Sequence, residues 1–97
     1  MIVLDNVDRA LDERTVERRL ERFRRRHPEL QRRLTRIFRD LQEDPFQPHL
    51  RLHGLSGQLE GVSAVWLTYQ YRITLTIDVQ HMLVTLLNIG NHDEVYR

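Results

Sequence analysis

The chain contains no cysteine and no lysine. Without cysteine it can form neither disulfides nor thiolate metal sites, and it has no need of an oxidising compartment. Without lysine, all fifteen basic residues are arginine, whose planar fork suits two-point contact with phosphate or carboxylate. A compositional bias toward arginine is the other reading of that absence. Long apolar runs are also missing: Leu83 to Ile89 is interrupted by Thr85 and Asn88 and is far too short to span a bilayer. The first residues turn acidic after Leu4, which does not fit a signal peptide. The expectation is a soluble, cytoplasmic protein with no membrane partner.

At 97 residues the chain makes one domain, spanning residues 1–97. A domain of this size buries only about two-thirds of its unfolded surface. It can build one core between two layers and has little room for a deep pocket, so any active site should lie in a shallow groove. The net charge of +1 identifies no partner, but the distribution of charge does. Ten arginines fall between Arg18 and Arg39, opposed in that window only by Glu21 and Glu29. A basic surface of this density meets an anion, either nucleic acid or an acidic protein.

Periodicity divides the chain into a strand, two helices and a run of strands. Met1 to Leu4 is a short β-like run, followed by the turn and capping residues Asp5, Asn6 and Asp8. From Asp12 to Arg26, Val16, Leu20 and Phe23 recur at helical spacing. His27-Pro28 breaks that helix, and proline suits the first turn of the next one. Leu30, Leu34, Ile37, Phe38 and Leu41 form its apolar stripe, and Asp44-Pro45 with Pro48 stop it. Beyond Leu50 the period becomes two. Leu50 and Leu52 alternate with Arg51 and His53, and Ile73, Leu75 and Ile77 alternate with Arg72, Thr74 and Thr76. Met82 to Ile89 reads as a strand buried on both faces, and Gly90-Asn91 ends it. The fold class is α+β: a helical hairpin on one face of a mainly antiparallel sheet, with the polar face of that sheet open to a ligand.

Several ordered pieces carry a resemblance. Pro28-Glu29-Leu30, the helix ending Leu41…Asp44-Pro45, His53-Gly54-Leu55-Ser56-Gly57, Gly61, Tyr71-Arg72-Ile73 and Asn88-Ile89-Gly90-Asn91-His92-Asp93-Glu94-Val95-Tyr96 together resemble the RelE/ParE toxin superfamily, in particular its RelE/StbE and YafQ-like branches. The resemblance runs from about Leu20 to the C-terminus. It implies an N-terminal strand, a helical hairpin and a curved antiparallel sheet of three to four strands, with the active site on the concave face. It also implies the toxin of a type II toxin–antitoxin system that cuts mRNA, commonly on the ribosome. A cognate antitoxin would bind it in a hetero-oligomer.

Metal-free RNA cleavage is an in-line attack of a ribose 2′-hydroxyl on the adjacent phosphate. It needs a base, an acid and a cation against the developing charge. Imidazole titrates near neutrality and can serve as either acid or base. On the resemblance, His53 and His92 are the acid–base candidates and Arg72 is the phosphate contact. Tyr96 either stacks on a base or completes the acid–base set. Each has a plainer alternative: His53 as a surface loop residue, His92 as a cap on the last strand, Arg72 in an ion pair with Glu60 or Asp78, and Tyr96 as a hydrophobic plug. His49 and Arg51 share the face of His53 if that stretch is a strand, and would be auxiliary RNA contacts. Arg18, Arg22, Arg25, Arg32 and Arg36 on the helices would meet ribosomal RNA phosphates.

One departure matters. The YafQ-like pattern has a second histidine and an aspartate on the strand after the glycine loop, and these positions fall on Trp66 and Gln70. Trp66 is expected in the core, or as a stacking platform if it is exposed. No metal or other cofactor is expected, because His49-x3-His53 lacks a helical frame and no carboxylate completes a ligand pattern. Two other functions compete: a ParE-like gyrase poison, recognised by DNA damage with intact mRNA, and a module that binds nucleic acid or antitoxin without chemistry.

Overall fold

The computed structural model describes residues 13–96. The strand expected over Met1–Leu4 lies outside the described residues. Helix α1 covers Glu13–Arg26, and α2 covers Gln31–Glu43. Between them, Pro28 opens a 3₁₀ turn over Pro28–Leu30, where its fixed φ and missing N–H do no harm. Leu34, Ile37 and Leu41 of α2 are buried, with Leu30 and Phe38 packed at the margin. The second helix ends as expected at Asp44, just before Pro45.

Among the described residues four antiparallel strands follow in sheet order: β1 (His53–Gly54), β2 (Ser63–Trp66), β3 (Tyr71–Asp78) and β4 (Leu83–Asn91). Ile73 and Leu75 of β3 are fully buried, and they meet Val65, Val84, Leu86 and Ile89 beneath Val16 and Phe23 of α1. β4 is buried over most of its length, as its largely apolar run requires. The β3–β4 register shifts between Thr74 and Leu75, because Thr74 pairs with Asn88 while Leu75 pairs with Leu86. Leu87 is the extra residue of this bulge, and its carbonyl accepts a hydrogen bond from Arg19 of α1 at 2.9 Å. A bulge bends its strand and raises the local twist.

Two expectations are corrected. The stretch around Leu50 is not a strand. Pro48–Leu50 forms a 3₁₀ turn and Arg51 takes a left-handed conformation at φ 53°, so the chain swings round before β1 begins at His53. The polar face of the sheet is also not fully open. Thr74 and Thr85 are buried, and a terminal helical turn, α3 (His92–Val95), packs on β3 and β4.

Candidate active site

Partners across an antiparallel ladder present side chains on the same face. His53, Ala64, Thr74 and Asn88 are successive partners, so they form one row across all four strands. Trp66, Arg72 and Gly90 form the adjacent row. This is the face away from the helical hairpin, since Tyr71 on the opposite face meets Phe23 of α1 and His27 just after it.

α3 lies over the same face at its β4 side. A Cβ built on Gly90 would stand 2.9 Å from the Cβ of Glu94, so glycine is what lets the helix come so close. The turn is held by a reciprocal cap. The Asn91 side chain accepts from the Glu94 backbone N–H at 2.9 Å, and the Glu94 carboxylate accepts from the Asn91 N–H at 3.0 Å. The Asn88 amide donates to the Glu94 carbonyl at 3.3 Å. Val95 is buried beneath the turn, which leaves Tyr96 pointing toward β1.

There the Tyr96 hydroxyl is 3.4 Å from Nε2 of His53. On the other side of that ring, Nδ1 lies 2.9 Å from the Arg51 carbonyl. A carbonyl can only accept, so Nδ1 carries the hydrogen. Nε2 of the neutral ring is therefore an acceptor, and the phenol donates to it. His92 packs edge-on against Tyr96, with centroids 4.3 Å apart and planes at 86°. It is exposed, and its Nδ1 is 3.8 Å from the Asp93 carboxylate. The structure thus brings His53, Tyr96 and His92 into one contiguous set.

Trp66 supplies the cationic side. Its ring lies beneath two guanidinium groups, Arg72 at 4.0 Å and Arg51 at 4.4 Å from the centroid. The expected burial of Trp66 in the core is therefore corrected: it faces the site and is half exposed, because its row is the one opposite the helices. Arg72 does not form the ion pair considered with Glu60 or Asp78, and Asp78 is taken instead by His81 at 2.8 Å. Its Nη1 donates to the carbonyls of Thr68, Tyr69 and Tyr71 at 2.7, 2.9 and 3.1 Å, which pins the β2–β3 turn. Arg51 is exposed, and its side chain makes no hydrogen bond or ion pair among the described residues beyond the stack on Trp66.

The other sequence candidates lie apart from this set. His49 sits in the Pro48–Leu50 turn, not beside His53, and its Nε2 is 2.8 Å from the Asp40 carboxylate of α2. Arg18, Arg22 and Arg25 line a depression on α1, where Arg25 pairs with Glu21 at 2.6 Å. Arg32 and Arg36 are exposed on α2. Gln70 is exposed in the β2–β3 turn. Among the described residues no cluster of three or more histidine or acidic side chains could hold a metal ion, and no helix is long and apolar enough to cross a membrane. Sequence reasoning missed Asn88, Asn91 and Glu94 as the residues that position Tyr96. The Asn91-x-x-Glu94 spacing is a capping-box signature and was the available signal.

A helical hairpin over this four-stranded antiparallel sheet, closed by a terminal helical turn, is a RelE-like toxin fold. YafQ from E. coli superposes with a TM-score of 0.71 at 12% identity, over 84% of this chain and 90% of that one. A copper-bound mutant toxin from Helicobacter pylori gives 0.65 at 14% identity, over 96% and 99%. A YoeB/ParE toxin from Agrobacterium tumefaciens gives 0.61 at 15% identity, over 74% and 84%. No protein-family model and no curated protein matches the sequence. At these identities the likeness is one of fold, and it bears out the architecture expected from the motifs.

Proposed function

We propose that this chain is the toxin of a type II toxin–antitoxin pair and cleaves mRNA by attack of the 2′-hydroxyl. The observation that carries this reading is the contact chain His53–Tyr96–His92 on the sheet face opposite the helices, flanked by the exposed guanidinium of Arg51. His53 is the base. Its Nδ1 is tied to a carbonyl, and the substrate hydroxyl replaces the phenol at Nε2. The 2′ proton passes to Nε2, the 2′ oxygen attacks phosphorus, and the bond to the 5′ oxygen breaks as His92 protonates it. The products are a 2′,3′-cyclic phosphate and a 5′-hydroxyl. Arg51, carried on Trp66, offsets charge on the pentavalent phosphate. Arg72 is a positioning residue that fixes Trp66 and the adjoining turn. The fold likeness to solved toxins supports the toxin assignment, and an antitoxin partner follows from that assignment.

One observation favours a second reading. Trp66 and Gln70 occupy positions where the YafQ-like pattern has an acid and a base, and Trp66 serves here to stack guanidinium groups. A relative that binds RNA without cutting it would look similar.

Induction of the chain in a bacterial host, with mapping of mRNA 5′ ends, separates these readings. The nuclease predicts growth arrest and new internal ends, both lost in His53→Ala and His92→Ala. Intact mRNA with DNA damage indicates gyrase poisoning. Intact mRNA and DNA together indicate binding without cleavage.

A further inference from the structure

Beyond the sheet site, a second feature stands out around the β2–β3 turn. Tyr69 is 85% exposed. Exposure this complete is unusual for an aromatic ring, which commonly buries 150–250 Å². Two clefts border this residue. One, about 260 Å³, runs between the turn and α2 and is lined by Arg33, Arg36, Asp40, His49, Trp66 and Tyr69. The other is lined by Glu29, Leu30, Thr68, Gln70 and Tyr71. Trp66 lines the first cleft and also belongs to the sheet site.

The turn that carries Tyr69 is rigidly built. The Thr68 hydroxyl accepts from the backbone N–H groups of Gln70 and Tyr71, both at 3.1 Å. The Arg72 guanidinium holds the carbonyls of Thr68 and Tyr69 from beneath. Arg33 and Arg36 are exposed and form no ion pair among the described residues. The one carboxylate in the cleft, Asp40, is largely buried and accepts from His49 Nε2. A fixed exposed ring beside free guanidinium groups is the pairing used to hold single strands: bases stack on the ring and phosphates meet the cations.

We infer that the Tyr69 ridge and the Arg33–Arg36 cleft form a nucleotide subsite for single-stranded RNA, with Trp66 between it and the cleavage site. A base leaving the sheet site stacks on Tyr69, and the phosphates beside it contact Arg33 and Arg36. This rests on the nuclease reading for the identity of the ligand. An acidic protein segment is the competing occupant, but its carboxylates would use the guanidinium groups and leave the exposed ring without a role.

The test uses fluorescent 2′-O-methyl RNA, which lacks the attacking hydroxyl, so binding is read independently of cleavage. Tyr69→Ala weakens binding about 5- to 150-fold, the equivalent of one lost stacking contact, while Tyr69→Phe retains it. The Arg33→Ala/Arg36→Ala variant lowers the slope of log K against log salt by about 1.4, the value for two phosphate contacts on a single strand. Unfolding curves confirm that these exposed substitutions leave the fold intact. If the protein binds this RNA with unchanged affinity and slope in both variants, the subsite is wrong, while the cleavage reading stands on its own His53- and His92-dependent products. If the protein shows no binding at low salt yet still cleaves unmodified RNA, the subsite alone is likewise overturned. If only capture of an acidic partner protein responds to the substitutions, the cleft belongs to that partner and the RNA assignment fails.

Discussion

The Tyr96 hydroxyl meets Nε2 of His53 at 3.4 Å across forty-three residues of sequence, and this contact joins the last helical turn to the first strand of the sheet. Both side chains reach solvent, so their contact adds little to stability; it keeps the phenol beside the place where the substrate hydroxyl enters. His53→Ala is expected to lower the cleavage rate by about 10²–10⁴-fold, the usual range for a general base. Tyr96→Phe is expected to cost no more than about 1.5 kcal/mol in stability while reducing cleavage. Single-turnover cleavage assays beside urea unfolding check both.

The two arginines over Trp66 should behave differently. Arg72 donates to three backbone carbonyls. Arg72→Ala therefore frees the turn and is expected to destabilise the fold by about 1–3 kcal/mol. Arg51 carries only its stack on Trp66, so Arg51→Ala is expected to leave stability within about 1 kcal/mol while lowering cleavage. Denaturant midpoints at constant m, measured beside cleavage rates, test this split. Equal destabilisation in both variants would contradict it.

Gly90 is a spacing device for the site. A methyl group there meets the Glu94 Cβ at 2.9 Å, which is the root of a side chain and cannot swing away. Gly90→Ala is expected to cost about 1–3 kcal/mol as an overpacked contact and to lift α3 from the sheet. Asn91→Ala removes the cap of a helix only four residues long, at about 1 kcal/mol. Both variants should lower cleavage, because His92 and Tyr96 are carried on that turn. Loss of contacts between Tyr96 and His53 in NMR spectra would register the displacement.

Asp78 at the β3–β4 turn has its carboxyl held below the ordinary aspartate value. The His81 ring donates to it first of all, at 2.8 Å, and the His81 backbone N–H adds a second bond at 3.1 Å. A depressed carboxyl pKa stabilises the fold above the ordinary aspartate value, and that contribution is lost as pH falls through the lowered one. The pair is exposed, so the effect is small and confined to acid. NMR titration should give an Asp78 midpoint below 3.8 that returns toward that value in His81→Ala.

The legible parts of the sequence were those with local causes. Helical spacing of Val16 and Phe23, and of Leu34, Ile37 and Leu41, marked the two helices because each buries one stripe. Alternation of Ile73 and Leu75 with Arg72 and Thr74 marked β3. Pro48 and the left-handed Arg51 defeated the reading of a strand at Leu50, since two leucines two apart fit a tight turn as well as a pleat. The position of Trp66 was not legible, because its exposure depends on register with Arg72 and on which face the helices cover. His53, Arg72, His92 and Tyr96 were legible only through their motif. What joins three of them is an interlock of Gly90, Asn91 and Glu94 that brings the chain end back across the sheet.

The most direct test is the chemistry of the cut. Purified protein is given mRNA, both free and on programmed ribosomes, beside the same message carrying 2′-O-methyl groups, and the product ends are identified by mass. The account predicts cleavage of the unmodified message alone, leaving 2′,3′-cyclic phosphate and 5′-hydroxyl ends, with none from His53→Ala. Cleavage of the 2′-O-methyl message, or full activity in His53→Ala, would contradict it.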